Sequence, residues 1–313
     1  MPTLRKPRIV VAGSANTDLV AQVPRLPAPG ETVQADAFAT FHGGKGANQA
    51  VAAARLGARV DFIGRVGADE MGRKTRDQLR AEGVGVARLR RARGVHSGVA
   101  LILVDRSGQN SIAVAPGANG RVSPGDILAA RPLIARADVL LLQLEIPLET
   151  AAAAARLGRE CGARVVLNPA PAQPLGEELL RAADVLTPNE TELAQLAGCP
   201  VRDAASAFRA IERLRRRGAR AVVATLGEQG AVGADESGRF EAPAFRVKAV
   251  DATAAGDVFN GALAVRLAQG AALAEAVRFA SAAAAISVTR RGAQPSAPTA
   301  KETERFLKSR ASG

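Results

Sequence analysis

Three glycine-containing segments carry residues whose types and spacing could do chemistry. The first is Gly43-Gly44-Lys45-Gly46-Ala47-Asn48-Gln49. It is not a Walker A loop, because Ala39 stands at the first glycine position and Gly46 follows the lysine. Nor is it a dinucleotide fingerprint, since Gln49 replaces the third glycine. Glycine permits close backbone approach, and Lys45 and the Asn48 amide supply donors, a combination suited to a polyhydroxyl ligand. A plain hinge before a helix is the alternative. The second segment is Asp251-Ala252-Thr253-Ala254-Ala255-Gly256-Asp257, just ahead of a helical pattern. Small residues there leave first-turn N–H groups free to bind an anion, with Asp257 beside them. A base next to an anion cradle is what phosphoryl transfer needs, although Asp257 could serve only as a favourable N-terminal carboxylate. The third is Thr225-Leu226-Gly227-Glu228-Gln229-Gly230, where an apolar strand runs into a glycine-bounded turn. That is a ligand-binding position in α/β proteins, or simply a tight turn.

More polar groups gather after apolar runs. Asn16 and Asp18 follow the first, Glu145 follows another, and Asn189 and Glu192 stand at a helix start where they could equally be caps. His42 and His96, the only histidines, have no Cys or His at ligand spacing, and His42 reads as a loop residue. No Ser-His-Asp set or zinc signature can be assembled.

The elements that must position these groups alternate. Strands are expected over 8–12, 60–64, 138–144, 164–167, 184–186 and 220–226. Helices are expected over 45–56, 70–81, 150–161, 203–217, 256–268, 274–288 and 301–307, with the tail 308–313 fraying. This rhythm means parallel βαβ units: an α/β protein, a three-layer α/β/α sandwich around a mostly parallel central sheet. Two stretches break it, 18–41 and 97–115. Short alternating segments at 19–23, 32–41, 98–104 and 111–115 read as hairpins forming a small β-sheet lid or an oligomer interface. The 313 residues are read as one domain carrying that lid.

Composition removes other classes. Hydrophobic residues at 47% and charged residues at 23% exclude bulk disorder. No apolar run is long enough to span a membrane, and no signal peptide is visible. Cys161 and Cys199 suggest no disulfide framework, so a cytoplasmic location is expected. The net charge of +12 comes from scattered arginine, densest at 88–93 and 213–220. With neither Trp nor Tyr for base stacking, it reads as a solvated surface and not as a nucleic-acid site.

With these residues in view, the chain resembles the carbohydrate kinase family named after minor phosphofructokinase. The resemblance runs from 10–18 to 291–296 and rests on two signatures, Gly43–Ala50 and Asp251–Gly261, with Asn168-Pro169-Ala170-Pro171-Ala172 and Thr187-Pro188-Asn189-Glu190-Thr191-Glu192 as further matches. It implies ATP-dependent phosphorylation of the 5-hydroxyl of D-ribose, with Asp257 as catalytic base. The N–H groups of Ala254, Ala255, Gly256 and Asp257 would form an anion hole. Ribose would be held by Asn16, Thr17, Asp18, Gly44, Lys45, Gly46, Ala47, Asn48, Glu145 and Asp257. ATP would lie along Asn189, Thr225, Leu226, Gly227, Glu228, Gln229, Gly230, Gly256, Asp257 and Ser281. Mg²⁺ would be organised through water by Asn189 and Glu192. K⁺ would sit among Asp251, Thr253, Ser287, Arg290, Gly292 and Ser296, mostly at carbonyls. A homodimer through the lid is implied. Ala252, Val258 and Ser281 depart from residues common in the family. Another pentose such as deoxyribose, a nucleoside, or a non-catalytic sugar sensor remain the alternatives.

Overall fold

The computed structural model describes residues 5–311, in which thirteen strands form two sheets. The strands are β1 (Arg8–Ala12), β2 (Asn16–Gln22), β3 (Ala37–Gly43), β4 (Arg59–Gly67), β5 (Gly85–Ala92), β6 (Gly98–Val104), β7 (Asn110–Ala115), β8 (Val139–Leu142), β9 (Arg164–Leu167), β10 (Val185–Leu186), β11 (Ala221–Thr225), β12 (Ala231–Asp235) and β13 (Gly238–Ala242). The large sheet has the order β13-β12-β11-β10-β9-β8-β1-β4-β5. It is parallel from β11 to β5, with β12 and β13 added antiparallel at one edge.

Strand alternation sorts the apolar residues into two buried cores, one on each face. Ile9 and Val11 of β1, Val139 and Leu141 of β8, and Val223 of β11 face the core shared with helices Lys45–Arg55, Ala255–Ala268 and Leu273–Ser287. Val10, Ala12, Leu140, Leu142 and Val222 face the core shared with helices Leu148–Glu160 and Ala204–Arg216. The three-layer arrangement expected from the sequence is therefore present.

The small sheet is separate and ordered β3-β2-β6-β7. β2 and β3 are antiparallel, β6 and β7 are antiparallel, and β2 joins β6 in parallel. β6 runs as expected and β7 starts one residue earlier, but the first two strands are displaced from their expected bounds. β2 begins at Asn16, and the second strand runs over Ala37–Gly43 in place of 32–41. Consequently His42, expected in a loop, stands in β3 opposite Thr17.

Other departures have plain causes. β5 was hidden by Arg88, Arg90 and Arg91, which are tolerable because it is an edge strand and charge protects an exposed edge. The hairpin of β12 and β13 was missed because Gly233 interrupts the apolar pattern at its centre; Phe240 packs directly over that glycine. The C-terminal helix does not end at 307 but extends over Ala300–Ala311, so fraying of 308–311 is corrected, and 312–313 lie outside the described residues. Short helices at Pro124–Ala129, Glu177–Ala182 and Glu190–Ala197 gave too few turns for a periodic signal. Among the described residues, no helix is long and apolar enough to cross a membrane.

Candidate active site

Asp257 lies in the first turn of helix Ala255–Ala268 and is buried. The residue before that helix, Ala254, has φ 59°, the one described non-glycine residue at positive φ, and no side chain caps the helix. A left-handed alanine is strained by roughly 1–2 kcal/mol. This sharp entry leaves first-turn N–H groups of Gly256 and Asp257 without intrahelical acceptors, while the Ala255 N–H turns back to the Ala252 carbonyl at 3.2 Å.

Helix Lys45–Arg55 brings the partners. Asn48 Nδ2 donates to Asp257 Oδ2 at 3.0 Å, and Gln49 Nε2 donates to Asp257 Oδ1 at 3.0 Å. Burial pushes the Asp257 pKa up; the Lys45 charge and the two amides oppose that shift, and Glu145 adds to it. Burial also works against the Lys45 ammonium, but Asp257, Glu145 and Glu192 outweigh it and its net shift is upward.

The lid contributes Asp18 from β2. Gly43, paired with Asn16 on the neighbouring strand, makes room: a Cβ there would lie 2.1 Å from the Asp18 carboxylate. Asp18 is pushed up to about 6, first by burial and then by Glu145 and Asp257. Asp18, Glu145 and Asp257 thus face one another, and Lys45 faces Glu145 and Asp257. Thr17, the neighbour of Asp18, points to the opposite face of the small sheet, by strand alternation. Glu145 Oε2 accepts from Ser14 Oγ at 2.5 Å and from the Lys45 backbone N–H at 3.0 Å, so it also caps the helix. Gly46 and Ala47 dock the helix onto the end of β1: the Ala47 N–H donates to the Ser14 carbonyl and the Gly46 N–H to Ser14 Oγ. Gly44 is the N-cap position ahead of them.

On the other side of Asp257, Asn189 bridges to Thr225 between neighbouring strand ends, and the Thr225 N–H donates to the Pro188 carbonyl at 3.1 Å. The turn that follows, Leu226 to Gly230, is closed by the Leu226 N–H on the Gly230 carbonyl and exposes Gly227, Glu228 and Gln229. Asn189 and Glu192 form a reciprocal capping box, each side chain accepting from the other's backbone at 2.8 Å. Glu192 is pushed up by burial and feels both Lys45 and Asp257, which puts it on the same cleft. Ser281 is half-buried on helix Leu273–Ser287. Asp251 clasps two loops together, its Oδ1 accepting from the Thr253 N–H and its Oδ2 from the Gly292 N–H. The Val288 carbonyl accepts from both Val250 and Asp251, while the hydroxyls of Ser287 and Ser296 turn inward onto the carbonyls of Ala284 and Ala293. The Arg290 guanidinium pairs with Glu302, away from that ring. Among the described residues no group of three or more His, Cys, Asp or Glu gathers as a metal site.

Asn119 and Gln143 in this site were not singled out from the sequence, and Asn168 and Thr187 were named only within the further family matches, with no role. Asn119, buried on a short 3₁₀ turn, donates to Asn16 Oδ1 at 2.6 Å and accepts from the Ala15 N–H. Gln143, Asn168 and Thr187 stand just past β8, β9 and β10, buried behind Gln49. A single polar residue closing an apolar strand is the one signal that could have found them.

A parallel α/β sheet whose strand ends meet an uncapped helix and a β-sheet lid defines a protein built to hold a small polar ligand beside an anion cradle. Comparison with known proteins makes the class specific. The model of the pfkB family of carbohydrate kinases matches residues 6–300. Ribokinase of Haemophilus influenzae is 44% identical over 299 residues, covering 96% of this chain and 98% of that one. Deoxyribokinase of Salmonella typhi is 39% identical over 301 residues, covering 96% and 98%. The structure of Arabidopsis thaliana ribokinase complexed with ribose and ATP superposes with a TM-score of 0.89 at 34% identity, covering 97% of this chain and 99% of that one. The chain belongs to the pfkB family of carbohydrate kinases.

Proposed function

We propose that this protein transfers the terminal phosphate of ATP to the 5-hydroxyl of D-ribose, giving D-ribose 5-phosphate and ADP. The observation that carries the reading is the placement of Asp257: a buried carboxylate at an uncapped helix N-terminus, between Lys45 and the lid residue Asp18. The similarity to ribokinases across nearly the whole chain supports ribose as the sugar.

In this reading Asp18, Asn16, Asn48, Lys45 and Glu145 hold the sugar hydroxyls, with Gly44, Gly46, Ala47 and Thr17 shaping the strand and helix ends around them. Asp257 accepts the proton of the 5-hydroxyl as its oxygen bonds to the γ-phosphorus and the bond from that phosphorus to ADP breaks. General-base catalysis is worth about 10²–10⁴-fold. The N–H groups of Ala254, Gly256 and Asp257 meet the charge on the transferring phosphoryl group, and that of Ala255 joins them on leaving the Ala252 carbonyl. ATP lies along Asn189, the 225–230 turn, Gly256 and Ser281.

Mg²⁺ bound with the nucleotide would neutralise phosphate charge. The carboxylate oxygen of Glu192 outside its capping bond, and the Asn189 amide, fit contact with it through water. For K⁺, the donor set around Asp251, Thr253, Ser287, Arg290, Gly292 and Ser296 is oxygen-only. Carbonyls fit an ion whose hydration shell such oxygens replace. Its charge would steady the anion cradle. We read the chain as one cytoplasmic domain whose lid pairs with that of a second copy.

ATP consumption over D-ribose, 2-deoxy-D-ribose and nucleosides, with and without K⁺, tests the reading in wild type and Asp257→Asn. Ribose is expected to turn over fastest and the variant to be nearly inactive. An equally active variant overturns the mechanism. Faster turnover of deoxyribose, which the similarity to deoxyribokinase makes the leading second reading, overturns the substrate. Ribose binding without turnover would make it a sensor.

A further inference from the structure

A chain of buried side-chain amides runs behind Asp257, and its polarity is forced. Asn168 Nδ2 donates to the Thr187 carbonyl at 2.9 Å. A carbonyl only accepts, so Asn168 must turn its Oδ1 toward Gln49, 3.2 Å from Gln49 Nε2. Gln49 must then present its NH₂ on that side, and the same nitrogen reaches Asp257 Oδ1 at 3.0 Å. Its Oε1, facing away, is taken by Gln143 Nε2 at 2.5 Å; the Gln143 Oε1 is itself buried with no partner, so Gln143 follows Gln49 and does not orient it. The far end is anchored too. Thr187 Oγ1 bonds Asn260 Oδ1 at 2.5 Å, and Asn260 Nδ2 donates to the Gly256 carbonyl at 2.8 Å, in the turn that carries Asp257 itself.

The other carboxylate oxygen is held differently. Asn48 Nδ2 donates to Asp257 Oδ2, but the Asn48 Oδ1 is buried with no partner. Nothing in the chain sets the Asn48 amide. It can turn over about its terminal torsion, which is broad and two-fold, and accept where it had donated.

We propose that the two oxygens of Asp257 have separate duties: Oδ1 is locked as a permanent acceptor by Gln49, oriented by Asn168, and Oδ2 is the atom that exchanges protons. Gln49 and Asn168 are positioning residues. The inference rests on Asp257 being the base, and it assigns which atom of it reacts and what holds the other.

Gln49→Glu is the sharpest variant. It sets a carboxylate against Oδ1, and two carboxyl groups at that distance share a proton. Lys45, Glu145, Asp18 and Glu192, the other charged groups facing Asp257, are unchanged by the substitution. The acid limb of the kcat profile is expected to move up by about one pH unit or more, with KM for ATP unchanged. Asn168→Asp, one amide further away, moves it the same way by less. A profile coincident with wild type in both folded variants overturns the proposal while leaving Asp257→Asn inactive; an active Asp257→Asn instead overturns the base itself. Side-chain amide exchange in the wild-type chain needs no variant. Gln49 NH₂ is expected to be far better protected than Asn48 NH₂, and equal protection overturns the proposal.

Discussion

Gly261 lies so close to helix Lys45–Arg55 that a Cβ on it would stand 2.8 Å from the Ala52 methyl and 2.8 Å from the Gln49 carbonyl. Gly261 is one helical turn beyond Asp257, and Gln49 is the residue whose amide holds the Asp257 carboxylate. The missing side chain therefore sets the spacing across which Asp257 and Gln49 meet.

Gly261→Ala should push the two helices apart, because the nearest obstacles are backbone and a short methyl that cannot fold away. Overpacking of this kind costs about 1–3 kcal/mol. We expect a lower midpoint in urea and a kcat reduced about tenfold or more. A kcat equal to wild type in the folded variant would show that the spacing does not matter.

Ala254→Gly should relieve the left-handed strain at the head of the same helix. The expected gain in stability is about 1 kcal/mol, partly offset by the flexibility of glycine in the unfolded chain. Ala254→Val should lose more than that. Denaturant melts of the two variants decide it.

Asp18 titrates at about 6 in the folded chain against an ordinary 3.8, so between those values the folded state keeps a proton that the unfolded state has released. Its contribution to stability falls as pH rises through that window, and Asp257 is shifted in the same direction. Asp18→Asn should therefore raise Tm above pH 7, by on the order of 5 °C, with the difference vanishing near pH 4. In the proposed reaction it also loses a hydroxyl acceptor, so KM for the sugar should rise about tenfold or more. In the wild type, the same KM should rise as pH drops below about 6. A flat KM would separate Asp18 from the sugar.

The small sheet leaves Phe38 67%, Leu101 53%, Ile112 53% and Val114 50% exposed. By strand alternation Ile112 and Val114 share the face of Asp18, while Phe38 and Leu101 lie on the opposite one, and exposed apolar pairs of this kind mark an interaction surface. Sedimentation of the wild type should give a dimer. The pair Ile112→Asp with Val114→Asp should give a monomer with an intact Tm for the α/β body and a raised KM for the sugar. A monomeric wild type overturns the lid-to-lid assembly.

How much of this was legible depends on whether a feature is local. The α/β rhythm could be read because buried strands such as Val139–Leu142 are short apolar runs closed by polar or glycine residues. Asp257 could be read because a carboxylate among small residues before a helix has a local meaning. Lys45, Asn48 and Glu145 stood beside glycines or at a strand end. Asn119 was illegible because its role is a contact with Asn16 across the chain, at 2.6 Å, and its own neighbours say nothing of it. β5 was obscured because an edge strand obeys the need to stay soluble more than the need to alternate.

By itself, then, the sequence determined the layers, the small separate sheet and the place of Asp257 at a helix start, since each follows from propensity and pattern within a few residues. The tertiary structure alone decided the amide chain behind Asp257. Gln49, Gln143, Asn168, Thr187 and Asn260 lie on five different elements or strand ends. Each amide's orientation is dictated by the next, and the last by a backbone carbonyl. Hydrogen-bond polarity passes through space from partner to partner, so it exists only once the fold has brought them together.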